Sequence, residues 1–153
     1  MRGAYHGAMR IALASDHAGY ELKEHVKTLL HDDGHEVVDL GPETDESTDY
    51  PRFAAPAARL VASGDAERGV LVCGSGVGVA IVANKVPGIR AVNAHDVEEA
   101  ELARAHNDAN VVTLSGRRLQ GEQADAIVRA FIAGEFEGGR HARRVALIED
   151  SPA

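Results

Sequence analysis

Short apolar runs alternate along the chain with segments whose apolar residues recur at helical spacing, and this alternation predicts the fold before any single side chain is considered. Residues 10–14 read as a first strand. In the segment that follows, Leu22, Val26, Leu29 and Leu30 fall on one helical face, and Gly34 ends it as a glycine just past a helix does. A second strand spans residues 35–40, followed by a polar loop over 41–50 that leads into Pro51 at a helix start. Ala54, Ala57, Ala58 and Val61 make that helix's stripe, with Pro56 expected either in its first turn or as a bend. The apolar run 69–73 is a third strand, and it enters a glycine-rich turn and a short apolar helix ending near Lys85. Residues 89–94 and 111–114 supply strands four and five around a helix over 96–106. Ala124, Ile127, Val128, Phe131 and Ile132 mark the next helix, and a basic segment closes the chain.

Strands that are apolar throughout, alternating with helices, indicate a parallel sheet covered on both faces. The expected fold is a single three-layer α/β/α domain over residues 9–150, a doubly wound (Rossmann-like) five-stranded parallel sheet. Residues 1–8 are read as a disordered leader or an alternative start. In such a sheet ligands bind beyond the C-terminal strand ends, where the strand order reverses, so the loops after strands one, three, four and five are the ones to inspect.

Composition narrows the function classes. The 153 residues carry 24 acidic and 16 basic side chains, a formal charge of −8, which argues against a nucleic-acid partner. No apolar stretch approaches the ~18 residues of a membrane span, and the expected location is the cytoplasm. The only cysteine, Cys73, cannot form an intramolecular disulfide, which fits a reducing compartment. Lys23, Lys27 and Lys85 are the only lysines, so most basic residues are arginines, whose forked donors suit phosphate or carboxylate.

Chemistry concentrates at strand ends. Cys73 closes strand three immediately before Gly74, Ser75, Gly76, Val77 and Gly78, so its thiol would meet the free N–H groups of a helix start, which stabilise thiolates and anions alike. A buried structural cysteine is the plain alternative. The glycine spacing matches neither the dinucleotide fingerprint nor the Walker loop, which leaves close backbone approach to a small anion. Asp16 and His17 follow strand one. Taken alone they are a helix cap and a surface residue, but a sheet ordered 2-1-3 would bring their loop beside Cys73. His106 and Asn107 end the helix before strand five, either as capping groups or with His106 as a proton donor and acceptor. Arg140 and Arg144 share a helix face and can grip one phosphate, with Arg117 as a third donor, unless they simply pair with Glu135 and Glu137. His25, His31 and His35 lack a supporting ligand pattern, and no metal is expected.

Together these motifs resemble the type B ribose-5-phosphate isomerases. The resemblance rests on residues 15–20, 48–51, 73–78, 83–85, 105–108 and 138–141, in family order and covering the chain from Met9 to about Glu149. It implies a cofactor-independent aldose–ketose isomerase in which Cys73 moves the C2 proton and His106 opens the furanose ring. The loop Gly74, Ser75, Gly76, Val77 and Gly78 would hold the enediolate oxygen, and Asp16 and Asn107 the sugar hydroxyls. His17, Arg117, Arg140 and Arg144 would take the phosphate, and Tyr50 would wall the site. Family members that lack the cysteine use a glutamate a few residues later, where this chain has Val79 and Ala80. Ser75 stands where threonine is common. The family's allose, galactose and four-carbon sugar phosphates are alternative substrates, and its shared sites imply a homodimer or tetramer. A non-catalytic nucleotide-binding module is the reading from another class.

Overall fold

The computed structural model describes residues 7–150, so the leader reading falls mainly on residues outside the described ones. The described elements run β1 (Arg10–Ser15), α1 (Tyr20–Asp32), β2 (Glu36–Asp39), α2 (Pro51–Ala62), β3 (Arg68–Cys73), α3 (Val77–Asn84), β4 (Ala91–Asn93), α4 (Val97–Asn107), β5 (Val111–Ser115), α5 (Gly121–Ala133) and α6 (Arg140–Asp150). The five strands form one sheet in the order β2-β1-β3-β5-β4, and every pairing is parallel. The expected doubly wound fold is the one observed. None of the described helices is long and apolar enough to cross a membrane.

Alternation along the strands divides the core between two faces. Ile11, Leu13, Val70, Val72, Val112 and Leu114 point towards α1, α4 and α5. Ala12, Ala14, Leu71, Cys73 and Val111 point towards α2 and α3. The second face is built of small side chains, and α2 answers it with its fully buried alanines Ala54, Ala57 and Ala58. Gly19 shows how tightly the first loop is packed, because a Cβ there would lie 2.6 Å from the Val72 carbonyl oxygen. The sulfur of Cys73 therefore sits on the α2/α3 side of the sheet, at the strand's last residue.

Several sequence expectations shift in detail. The second and fourth strands are shorter than their apolar runs, because both are sheet edges whose flanking residues have a neighbour on one side only. Pro56 is the sixth residue of α2, beyond the first turn, where it deprives the Arg52 carbonyl of its helical donor. Asp16 does not cap α1 itself. Its Oδ1 accepts the Gly19 N–H at 2.9 Å, holding the turn that leads into the helix. The basic C-terminal run is a helix, α6, which buries only His141 and leaves Leu147 and Ile148 half exposed.

An ionic cluster around one buried lysine ties α1 to the edge strand. Lys23 is fully buried, and its Nζ donates to Glu24 at 2.7 Å and Asp39 at 2.8 Å, while Lys27 also donates to Asp39 at 2.8 Å. Burial pushes the Asp39 carboxyl up, but Lys23, Lys27 and the Gly41 N–H outweigh it and hold the group below the usual range. A depressed carboxyl contributes stability that is full above its unfolded value, near pH 4, and is lost as pH falls through the lower folded value. Unfolding free energy is thus expected to drop on acidification below about pH 4. Asp39→Asn, which leaves Lys23 with Glu24 as its one carboxylate partner, is expected to cost about 2 kcal/mol at pH 7 and to flatten that acid slope. Urea titrations of both proteins at pH 7 and in the acid range measure the two effects.

Candidate active site

The reversal of strand order lies between β1 and β3, and the loops after β1, β3 and β5 converge there. The register sets Cys73 opposite Ser115, so the glycine loop after β3 lies against the turn after β5. Gly116 N–H donates to the Cys73 carbonyl at 2.8 Å, Arg117 N–H to the Gly74 carbonyl at 3.1 Å, and the Ser115 hydroxyl to the same carbonyl at 2.6 Å. An open cavity of about 380 Å³ results, lined by Asp16, His17, Tyr50, Cys73, Gly74, Ser75, Val77, Gly78, Ile81 and Arg117.

Each group has a defined orientation. The Cys73 sulfur accepts the Gly76 N–H at 3.2 Å, a donor placed where a thiolate needs one. Gly76 holds φ at 80° as the residue before α3, a left-handed conformation that suits glycine. The Ser75 Oγ accepts the Val77 N–H at 3.1 Å, which leaves its own proton for another acceptor. The Nδ1 of His17 accepts the Thr48 N–H at 3.1 Å, so the neutral ring carries its proton on Nε2. The Arg117 guanidinium lies against Gly74, where a Cβ would come within 3.0 Å of it. The Tyr50 ring packs over Gly78 in the same way, at 2.7 Å from a built Cβ. One cavity thus gathers a thiol, a carboxylate, an imidazole and a guanidinium beside a row of backbone donors.

Four sequence candidates lie elsewhere. His106 and Asn107 end α4, which runs back from the C-terminal strand edge to the start of β5, so they sit at the opposite edge of the sheet from Cys73. The length of β5 alone separates the two edges by about 13 Å, four rises of ~3.3 Å. There the His106 ring stacks on His141, with centroids 4.2 Å apart and planes at 12°. Arg140 and Arg144, on the first turns of α6, are exposed at that same end. Within one chain His106, Asn107, Arg140 and Arg144 therefore do not reach Cys73, because a parallel sheet fixes which edge each loop occupies. Asp16, His17, Tyr50, Cys73 and Arg117 line the one cavity together.

Sequence reasoning missed Asn93 and Thr113. The Asn93 amide donates to the Ser75 carbonyl at 3.2 Å, and the buried Thr113 hydroxyl lies 2.7 Å from the Gly76 carbonyl and 3.2 Å from Asn93 Oδ1. These two side chains grip the glycine loop from behind. A polar residue ending β4 and a threonine in the apolar fifth strand were the available signals.

Comparison with known proteins follows the same lines. The sequence profile of the Ribose/Galactose Isomerase family matches residues 11–148. Ribose-5-phosphate isomerase B of Escherichia coli is 44% identical over 91% of this chain and 93% of that protein. The crystal structure of a ribose 5-phosphate isomerase from Thermotoga maritima superposes with a TM-score of 0.91 at 45% identity, covering 93% of this chain and 98% of that one. Ribose-5-phosphate isomerase B from Mycoplasma genitalium with bound ribulose-5-phosphate gives 0.89 at 42%, covering 95% and 97%.

A Cβ on Gly76 would lie 2.2 Å from Asn93 Oδ1 as well as adopting a left-handed backbone. Gly76→Ala is expected to destabilise by about 2–3 kcal/mol, the sum of overpacking and backbone strain. Adding Asn93→Ala removes the nearest contact but leaves the 3.0 Å approach to the Leu114 backbone and the strain and gives up the bond to the Ser75 carbonyl, so thermal unfolding of the double variant is expected to stay well below that of the parent.

Proposed function

The chain belongs to the Ribose/Galactose Isomerase family, and from that premise we propose that it interconverts ribose 5-phosphate and ribulose 5-phosphate through an enediolate. The observation that carries the reading is the Cys73 sulfur, bonded by the Gly76 N–H at 3.2 Å in a cavity shared with Asp16, His17 and Arg117. In this scheme the Cys73 thiolate takes the proton from C2 of the open-chain aldose and returns it to C1. The oxygen that gains charge lies against the N–H groups of residues 74–78 and the Ser75 hydroxyl, which act as preorganised donors. Asp16 binds a sugar hydroxyl, Tyr50 walls the sugar, and His17, through its Nε2 proton, takes the phosphate with Arg117. The scheme calls on no metal or organic cofactor, because hydrogen bonds stabilise the enediolate.

The remaining groups come from a second copy of the chain. His106 serves as the acid and base that open the furanose ring, Asn107 holds a hydroxyl, and Arg140 and Arg144 complete the phosphate site. A homodimer, or a tetramer built from such dimers, satisfies this if the His106 edge of one protomer faces the Cys73 edge of its partner. Apolar side chains exposed at both edges support such a contact: Tyr50, Val77 and Ile81 by the cavity, and Ile148 on α6.

Because the family joins ribose and galactose isomerases, a second substrate reading is the same chemistry on a six-carbon or four-carbon sugar phosphate. Comparing kcat/KM over a panel of sugar phosphates decides between them, and ribose 5-phosphate is expected to lead. Cys73→Ala is expected to lower kcat on it about a thousandfold, within the range for loss of a general base, while leaving the fold intact. Turnover within tenfold of the parent would contradict the assignment. ATP and NAD are expected to leave the melting temperature unchanged.

A further inference from the structure

At the edge of the sheet opposite the cavity, three potential ligands converge. The Nε2 atoms of His106 and His141 lie 3.8 and 3.5 Å from Glu137 Oε1, and one ring nitrogen of each histidine and a Glu137 carboxylate oxygen fall within 4.8 Å of one another. We propose that His106, Glu137 and His141 form a binding site for a transition-metal cation, Zn2+ above all.

The His141 side chain carries the argument. It is 93% buried as a residue, 7% exposed, yet its Nε2 is sealed from solvent and makes no hydrogen bond. A buried ring nitrogen without a partner is costly, and Glu137 approaches it without reaching hydrogen-bond geometry. Two imidazoles and one carboxylate are the donor set that Zn2+ takes when it keeps one open position for water. Bonds of 2.0–2.2 Å in a tetrahedron set ligand atoms about 3.3–3.5 Å apart, so the two distances to Glu137 already stand within a few tenths of an ångström of what is needed. The two rings are stacked rather than splayed, so one ring must turn to aim its lone pair at a shared cation. His106 has the room to do so, since 37% of its side chain is exposed.

The frame that holds the three groups is fixed by backbone. Glu137 N–H donates to the Ala105 carbonyl at 3.0 Å, which pins the loop before α6 to the residue preceding His106. His141 N–H donates to the Gly138 carbonyl at 3.0 Å, which fixes the first turn of α6. Two nitrogens and one oxygen favour Zn2+ over Mg2+, which prefers an oxygen octahedron. Arg140 and Arg144 bring positive charge to the same helix, so the coordinate bonds, and not the field of the surface, must supply the affinity. A cation bound here occupies the lone pair of His106, so it excludes ring opening by that residue. That consequence rests on the isomerase reading, whereas the site itself does not.

Binding is tested without substrate. Zn2+ is titrated calorimetrically into the full chain, stripped of metal and carrying Cys73→Ser so that the thiol does not compete. The expected result is one Zn2+ per chain with a dissociation constant of about a micromolar or tighter, and no saturable response to Mg2+. Glu137→Gln and His141→Gln are each expected to weaken binding about tenfold or more. Glu137 is an exposed loop residue, so its variant tests the site even if His141→Gln fails to fold. No saturable binding below about 1 mM, a zone corresponding to only weak association, or unchanged affinity in Glu137→Gln, would overturn the proposal.

Discussion

In an all-parallel sheet every loop that leaves a strand lies at one edge and every loop that enters one lies at the other, and this polarity governs where chemistry can gather. Cys73 ends a strand, Asp16, His17 and Arg117 follow strands, and all four meet. His106 and Asn107 precede a strand, and they do not. No side-chain rotation bridges a gap of about 13 Å between the edges. A catalytic set that needs both a thiol from one edge and an imidazole from the other must therefore be closed by association, which converts a fact of strand direction into a claim about quaternary structure.

Within the Cys73 half of the site, the backbone carries more than the side chains do. The glycine loop presents its N–H groups because Ser115, Thr113 and Asn93 engage its carbonyls from behind. Glycine is required at Gly76 by its left-handed conformation and at Gly78 by the Tyr50 ring, so two of the three glycines answer to distinct constraints. The net charge of −8 says little about this region. Much of the acidity is engaged in local pairs, as with Asp39 between Lys23 and Lys27 and Asp33 against Arg129, while the guanidinium of Arg117 faces the cavity.

The fold was legible because its signals are local. Continuous apolar runs marked the three central strands, and helical spacing marked α1, α2 and α5, with Gly34 and Pro51 standing where the structure ends one helix and begins another. The edge strands were overread, since an apolar run does not reveal how many neighbours it has. The site was legible at Cys73 and its glycine loop because thiol and turn are adjacent in sequence. It was not legible at Asn93 and Thr113, whose role depends on which strands lie side by side, nor in the separation of His106 from Cys73. Both of those follow from topology, which enters only once the strand order is known.

The central claim is that one working site takes Cys73 from one chain and His106 from another. Mixing Cys73→Ala with His106→Asn, unfolding the two together and refolding them tests it most directly, with each variant refolded alone as the control. Neither variant alone is expected to turn over ribose 5-phosphate appreciably. Random pairing makes half the dimers mixed, each with one site built from the two unaltered residues, so the mixture should regain about a quarter of the parental activity. A mixture no more active than its parents would contradict the account.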